Sequence, residues 1–136
     1  MDLTKTLAIS AAGMQVQGTR LRVVAENLAN SESLATTPGG DPYRRKTVTF
    51  KNQLDRAMGV DTVRVANIGV DRSEFVRRYD PGNPAAAPDG YVQAPNVKPL
   101  VEMMDMRQAQ RGYDANVAVI DVAKGMLQRT IEILRG

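Results

Sequence analysis

The sequence predicts a mainly α fold in which long helices at the two ends of the chain pair as a coiled-coil-like hairpin, with a small β-rich element and a Pro/Gly-rich linker between them. Three observations carry this reading. All seven prolines lie between Pro38 and Pro99, which leaves residues 2–29 and 100–135 without a helix breaker. Apolar residues at both ends recur every seven positions, and the middle alternates short β-like runs with turn residues. The expected division is therefore an N-terminal helix over 1–30, a β-rich middle and linker over 31–98, and a C-terminal helix over 99–136.

The first helix keeps a strict heptad. Leu7, Met14, Leu21 and Leu28 form one column, and Ala11, Gly18 and Ala25 fall between them at alternating steps of four and three. Large and small side chains thus alternate along one seam, the a/d pattern of a helix with a close partner. A second apolar column, Ile9, Val16 and Val23, lies on the opposite side. A lone two-helix hairpin would leave that column in water, so it points to a helix contacted on two sides. The helix is expected to stop at Asn27-Leu-Ala-Asn30, with Asn30 in the left-handed conformation that ends helices and with Ser31 and Ser33 bonding nearby backbone.

The middle begins with Tyr43–Phe50, which alternates Val48 and Phe50 against Arg45, Thr47 and Thr49. Asp61–Ile68 and Glu74–Tyr79 are further strand candidates. Lys51–Gly59 reads as a short helix. Asp-Pro-Gly-Asn-Pro from Asp80 and Pro-Asp-Gly from Pro88 are turn signals, and Tyr79–Val97 reads as an ordered linker anchored by Tyr79, Tyr91 and Val92.

The last helix begins at Pro99, whose missing N–H is tolerated in a first turn, with Glu102 complementing the positive helix end. Met106, Tyr113, Ile120, Leu127 and Leu134 form its seven-residue column, interleaved with Ala109, Asn116, Ala123 and Thr130. Val119, Met126 and Ile133 add a second apolar column. Asn116, polar in an apolar seam, is expected to fix register. Gly112 and Gly125 are each unfavourable in a helix by ~1 kcal/mol relative to Ala and suggest close helix approach. The two helices would run roughly 40 and 55 Å at ~1.5 Å per residue.

Composition excludes much chemistry. Among 136 residues there is no His, no Cys and no Trp, so neither the usual neutral-pH base nor thiol chemistry is available. No cofactor, metal site or catalytic group is expected: paired carboxylates such as Asp114 and Asp121 lie on a polar helix stripe, and no nucleophile elbow or phosphate loop occurs. The net charge of +3 is modest, with basic residues clustered only at Arg44–Lys46 and Arg77–Arg78. A basic nucleic-acid-binding protein is the alternative that these clusters raise, weakened by the lack of aromatic platforms between them. No run is long enough to span a membrane, and the opening residues lack the layout of a cleaved secretory signal.

Taken in order, Leu7–Ser33, Asp41–Phe50, Tyr79–Val97 and Glu102–Met126 resemble the flagellar basal-body rod family. Its Asn-Leu-Ala-Asn element falls at Asn27 to Asn30 and its turn element at Tyr79, Pro81, Gly82, Asn83 and Pro84, followed by Gly90-Tyr-Val and Pro95-Asn-Val. The resemblance implies a structural subunit of the proximal rod, polymerising through its terminal helices and carrying torque toward the distal rod and hook. It implies like subunits and other rod proteins as partners, export through the flagellar type III apparatus without a cleaved signal peptide, and residence in the periplasmic rod. No nucleic acid or small-molecule substrate is implied. Another axial rod or adaptor protein is the nearest alternative.

Overall fold

The computed structural model describes residues 2–136. Its elements, in chain order, are α1 (Leu3–Ala29), β1 (Lys46–Asp55), β2 (Val60–Val70), β3 (Val76–Tyr79), β4 (Tyr91–Ala94) and α2 (Pro99–Arg135). Two long terminal helices with a small two-sheet β element between them therefore stand as expected. No helix among the described residues is long and apolar enough to cross a membrane.

Each helix begins with identifiable chemistry. The Asp2 carboxylate accepts from the backbone N–H of Thr4 at 3.0 Å and of Lys5 at 3.4 Å, which caps the first turn of α1. Helix α2 starts at Pro99, and Glu102 N–H reaches the carbonyl of Lys98 at 3.1 Å. The end of α1 differs from expectation. No non-glycine residue among those described has positive φ, so Asn30 is not left-handed. Its side chain closes the helix instead: Nδ2 donates to the Glu26 carbonyl at 2.9 Å, and Oδ1 accepts from Ser33 Oγ at 3.1 Å. An amide that supplies both a donor and an acceptor satisfies the helix end without backbone strain.

The middle also departs from its expected boundaries. Lys51–Gly59 is not helical: β1 runs through it to Asp55, and a short turn leads into β2. Gly59, at φ 68°, and the Asp55 carboxylate, which accepts from Ala57 N–H, make that turn possible. Pairing with β2 overrides a helical propensity that is weak over so few residues. Strands β3 and β4 pair antiparallel, with Val76 opposite Ala94 and Tyr79 opposite Tyr91. Strand β4 and the buried Ala85, Val92, Ala94, Pro95, Asn96 and Val97 come from the segment expected as a linker, so that segment is a core builder.

The chain forms two compact units. One comprises Met1–Leu21, Thr49–Asn67 and Arg107–Gly136; the other comprises Arg22–Val48 and Ile68–Met106. In the first, a Cβ added to Gly13 would lie 2.7 Å from Asn116 Nδ2, and one added to Gly112 would lie 3.0 Å from Gln17. Arg20 donates to Gln108 Oε1 at 3.0 Å. These contacts run in opposite order along α1 and α2, so the helices lie antiparallel in this unit. In the second unit, Ala35, Ala85 and Val92 form an apolar cluster with Leu34 and Ala86.

Candidate assembly surface

The second unit is organised by a buried polar cluster. Glu102, in the first turn of α2, is wholly buried, and Asn27, near the end of α1, is 1% exposed. A carboxylate at such depth is tolerated only when paired and hydrogen-bonded. Arg45 Nε donates to Glu102 Oε1 and Asn27 Nδ2 donates to Glu102 Oε2 at 3.3 Å. Asn27 uses its whole amide: Nδ2 also donates to the Lys46 carbonyl at 2.9 Å, while Oδ1 accepts from Lys46 N–H at 2.9 Å and Tyr43 O–H at 2.8 Å. The side chain thus reads the start of β1 as a neighbouring strand would.

Asn96 repeats this device from the far side of β4. Its Oδ1 accepts from Arg45 N–H at 2.8 Å, and its Nδ2 donates to the Asp71 carbonyl at 3.0 Å and to Ser73 Oγ at 3.1 Å. Arg44 completes the Asp71–Ser73 loop, donating to both backbone carbonyls and lying 4.1 Å from the centre of the Phe75 ring. Arg45 further faces Asp71 at 3.5 Å and Asp105 at 3.6 Å.

The electrostatics follow the contacts. Burial works against the charge of Arg45, but the hydrogen bond and charge of Glu102, with Asp71 and Asp105, outweigh it and raise the guanidinium's hold on its proton. The Ser73 backbone N–H and hydroxyl hold the Asp71 carboxyl below its ordinary range, with a smaller contribution from Arg45. Burial pushes the Tyr43 hydroxyl up. At the surface, hydrogen bonds from Lys46 and Arg78 lower the carboxyls of Glu26 and Glu32.

Both basic clusters are accounted for by these partners. Lys46 pairs with Glu26 at 2.9 Å, Arg77 with Asp89 at 2.6 Å and Arg78 with Glu32 at 2.6 Å. With Arg44 on carbonyls and Arg45 on carboxylates, no member of either cluster stands as an isolated cation.

The turn residues Tyr79, Pro81, Gly82, Asn83 and Pro84 belong to the second unit. Asn83 Oδ1 accepts from Ala85 N–H at 2.9 Å, which turns the chain and sets Ala85 into the apolar cluster. Gly90 has φ 83°, and a Cβ there would lie 2.7 Å from the Tyr79 ring. Only glycine fits both constraints. The Tyr79 and Tyr91 rings meet edge to face at 5.3 Å between centroids.

The helical columns occupy different places from those expected. Val16 and Val23 are 3% and 2% exposed, so this column is not left in water by a two-helix arrangement; the chain buries it itself, while Ile9 remains exposed. On α1 the fully buried positions are Ser10, Val16, Val23, Val24 and Asn27. The strict heptad column Leu7, Met14, Leu21 and Leu28 is only half-buried, and the interleaved Ala11 and Ala25 are exposed. On α2 the buried positions are Glu102, Ala109 and Ala123, with Asn116 half-buried between them. Met106, Tyr113, Ile120 and Leu127 are half-buried. Leu134, Val119, Met126 and Ile133 are exposed.

The sequence pattern conceals the inward face because that face mixes Ser, Gly, Gln and Asn with valine, whereas the apolar heptad is purer. The signal that could reveal it is the match between small residues, with Gly13 and Gly112 each facing an amide side chain. Asn116 Nδ2 donates to its own helix at the Gly112 carbonyl, 2.9 Å away, beside Gly13. A Cβ added to Gly18 or Gly125 would meet nothing within 4 Å, so close approach explains Gly112 and not Gly125.

Both long helices leave apolar residues exposed, Ile9 on α1 and Val119, Met126 and Ile133 on α2, and both basic clusters are paired within the chain. Comparison with known proteins sharpens this. Residues 89–133 match the family described as flagellar basal body rod FlgEFG protein, C-terminal. Over 133 residues the chain is 53% identical to the flagellar basal-body rod protein FlgC of Agrobacterium fabrum, covering 98% of this chain and 96% of that one. It is 39% identical to FlgC of Salmonella typhimurium over 135 residues, with 98% of each chain covered, and 37% identical to FlgC of Bacillus subtilis over 148 residues, with 98% and 99% covered. The chain belongs to the FlgC family of flagellar basal-body rod proteins.

Proposed function

We propose that this chain is a structural subunit of the proximal rod, that it polymerises through α1 and α2, and that it carries motor torque toward the distal rod and hook. The observation that carries the reading is the match to rod proteins along almost the whole chain, in relatives from distant bacteria. In this reading the segments 1–30 and 99–136 pair in a coiled-coil-like manner and form the assembly surface. Residues 31–48 and 68–98 of the middle are tied to the end of α1 and the start of α2 by Asn27, Arg45 and Glu102. The assembly seam comprises Leu7, Met14, Leu21 and Leu28 with Met106, Tyr113, Asn116, Ile120, Leu127 and Leu134. Its partners are like subunits and other rod proteins, reached after export through the flagellar type III apparatus, with the rod standing in the periplasmic space. No enzymatic step is required, and the internal pairing of both basic clusters speaks against a nucleic-acid partner.

The test is an in-frame deletion with complementation. The expected result is loss of motility and of complete basal bodies, both restored by the intact gene. Normal basal bodies and swimming in the deletion strain overturn the reading.

A further inference from the structure

The second unit has little apolar material at its centre. Its fully buried apolar side chains are valines, alanines and prolines, among them Val23, Val92 and Ala85, and the largest fully buried side chain is that of Glu102. Charge joins its segments instead. Glu26 pairs with Arg22 and Lys46, Arg45 with Glu102, Asp71 and Asp105, Arg77 with Asp89, and Arg78 with Glu32. All of these residues belong to the second unit. The helix pair of the first unit is held differently: Ser10, Val16, Ala109 and Ala123 are buried, Gly13 faces the Asn116 amide and Gly112 faces that of Gln17. None of those side chains titrates.

We propose that the second unit is an acid-releasable module: proton uptake by its paired carboxylates opens residues 22–48 and 68–106 as one body, while the helix pair of the first unit stays closed. Glu102 is the pivot. It lines one cavity of about 270 Å³ with Arg45, Asp71 and Lys98, and Asp105 shares its arginine. Asn27 connects it to the Tyr43 hydroxyl and the Lys46 backbone, and Glu26 holds the Lys46 ammonium at 2.9 Å. A protonated Glu102 no longer balances the Arg45 guanidinium, which is only 24% exposed and keeps its charge.

The direction follows from linkage. Hydrogen bonds from Ser73, Lys46 and Arg78 hold the carboxyls of Asp71, Glu26 and Glu32 below their ordinary range. The open form therefore takes up protons more readily than the closed one. The stability of the closed form is present above the ordinary carboxylate range and lost as pH falls through the lowered values. A body that depends on its own contacts opens by itself when those contacts fail, so acid yields a half-open chain before it unfolds the whole.

Hydrogen exchange of the full chain, read by mass spectrometry at about pH 6.5 and about pH 3 and corrected for the intrinsic effect of pH on exchange, tests this. The expected result is that acid lowers the protection of β3 and β4 at least about tenfold further than that of residues 10–17 and 109–116. Glu102→Gln keeps the shape and removes the buried charge, so β3 and β4 are expected to start less protected at the higher pH and to lose less on acidification. Glu26→Gln, half-buried rather than buried, is the second variant and is expected to show the same shallower fall. Parallel loss in both units, unchanged protection of β3 and β4, or β3 and β4 unprotected at both pH values overturns the proposal. A fall in both variants as steep as in the unaltered chain also overturns it.

Discussion

Replacing Glu102 by Ala is expected to destabilise the subunit by ~3 kcal/mol. Removing one partner of a buried ion pair costs ~3–5 kcal/mol, because the other charge is left in a poorly solvated place. Here the lower end applies. Arg45 is 24% exposed and keeps Asp71 at 3.5 Å and Asp105 at 3.6 Å, and Asn27 Nδ2 keeps the Lys46 carbonyl at 2.9 Å. Glu102→Gln preserves shape and an acceptor for Arg45 and is expected to cost ~1–2 kcal/mol, the difference between a charged and a neutral hydrogen bond. The double change Arg45→Met with Glu102→Leu removes both charges, so its cost is expected to fall short of the summed single changes by at least ~1 kcal/mol. Urea unfolding of the purified chain, read from midpoints at constant slope, measures each of these variants. A Glu102→Ala cost within ~0.5 kcal/mol, the range of ordinary surface changes, or strict additivity in the double change refutes the reasoning.

Asn27→Asp keeps the size of the side chain but replaces two donated hydrogen bonds by a carboxylate facing Glu102, so a loss larger than that of Asn27→Ala is expected in the same unfolding assay. Val16→Glu with Val23→Glu is expected to lower the stability of the isolated subunit by several kcal/mol, since both sites lie inside the chain; an unchanged unfolding midpoint would place them on an outer face. Gly18→Ala meets open space and is expected to gain up to ~1 kcal/mol, while Gly13→Ala crowds Asn116 and is expected to gain nothing or lose; equal shifts would remove the assigned helix contact. Glu26, Glu32 and Asp71 all have lowered folded-state pKa values, so the stability they add is present above the ordinary carboxylate range and lost as pH falls through the lowered values. Thermal melts from about pH 6 to about pH 2 should therefore show falling stability on the acid side, with a shallower fall in Arg78→Ala; a flat profile contradicts the assignment.

The two helices are legible in the sequence because their periodicity is long and uninterrupted by proline, so no tertiary contact is needed to define them. Which face of α1 turns inward is not legible. Apolar residues surround that helix, and the choice depends on α2, whose inward column of Glu102, Ala109, Asn116 and Ala123 is small or polar. The strict heptad therefore has the look of the helix seam, whereas Ser10, Gly13, Val16 and Asn27 occupy the contact side. Lys51–Gly59 misleads because pairing with β2, not local preference, sets its state. By spacing alone Glu102 is a helix-end charge, and Asn27 and Asn30 are a helix stop. Their roles as a buried carboxylate, a strand-reading amide and a side-chain cap depend on partners that folding supplies; for Glu102 and Asn27 these are Arg45 and Lys46, distant in sequence. Tyr79–Val97 has the composition of a linker because its prolines and glycines mark turns, yet those turns are what bring Ala85 and Val92 together.

Incorporation of this chain into the rod is the central claim, and imaging of isolated basal bodies at side-chain resolution tests it most directly. The expected result is density in the proximal rod that fits α1 and α2 side by side, with the Arg45–Glu102 pair buried between the helix ends and the start of β1. A complete proximal rod whose density accommodates other chains and leaves no place for this one would contradict it.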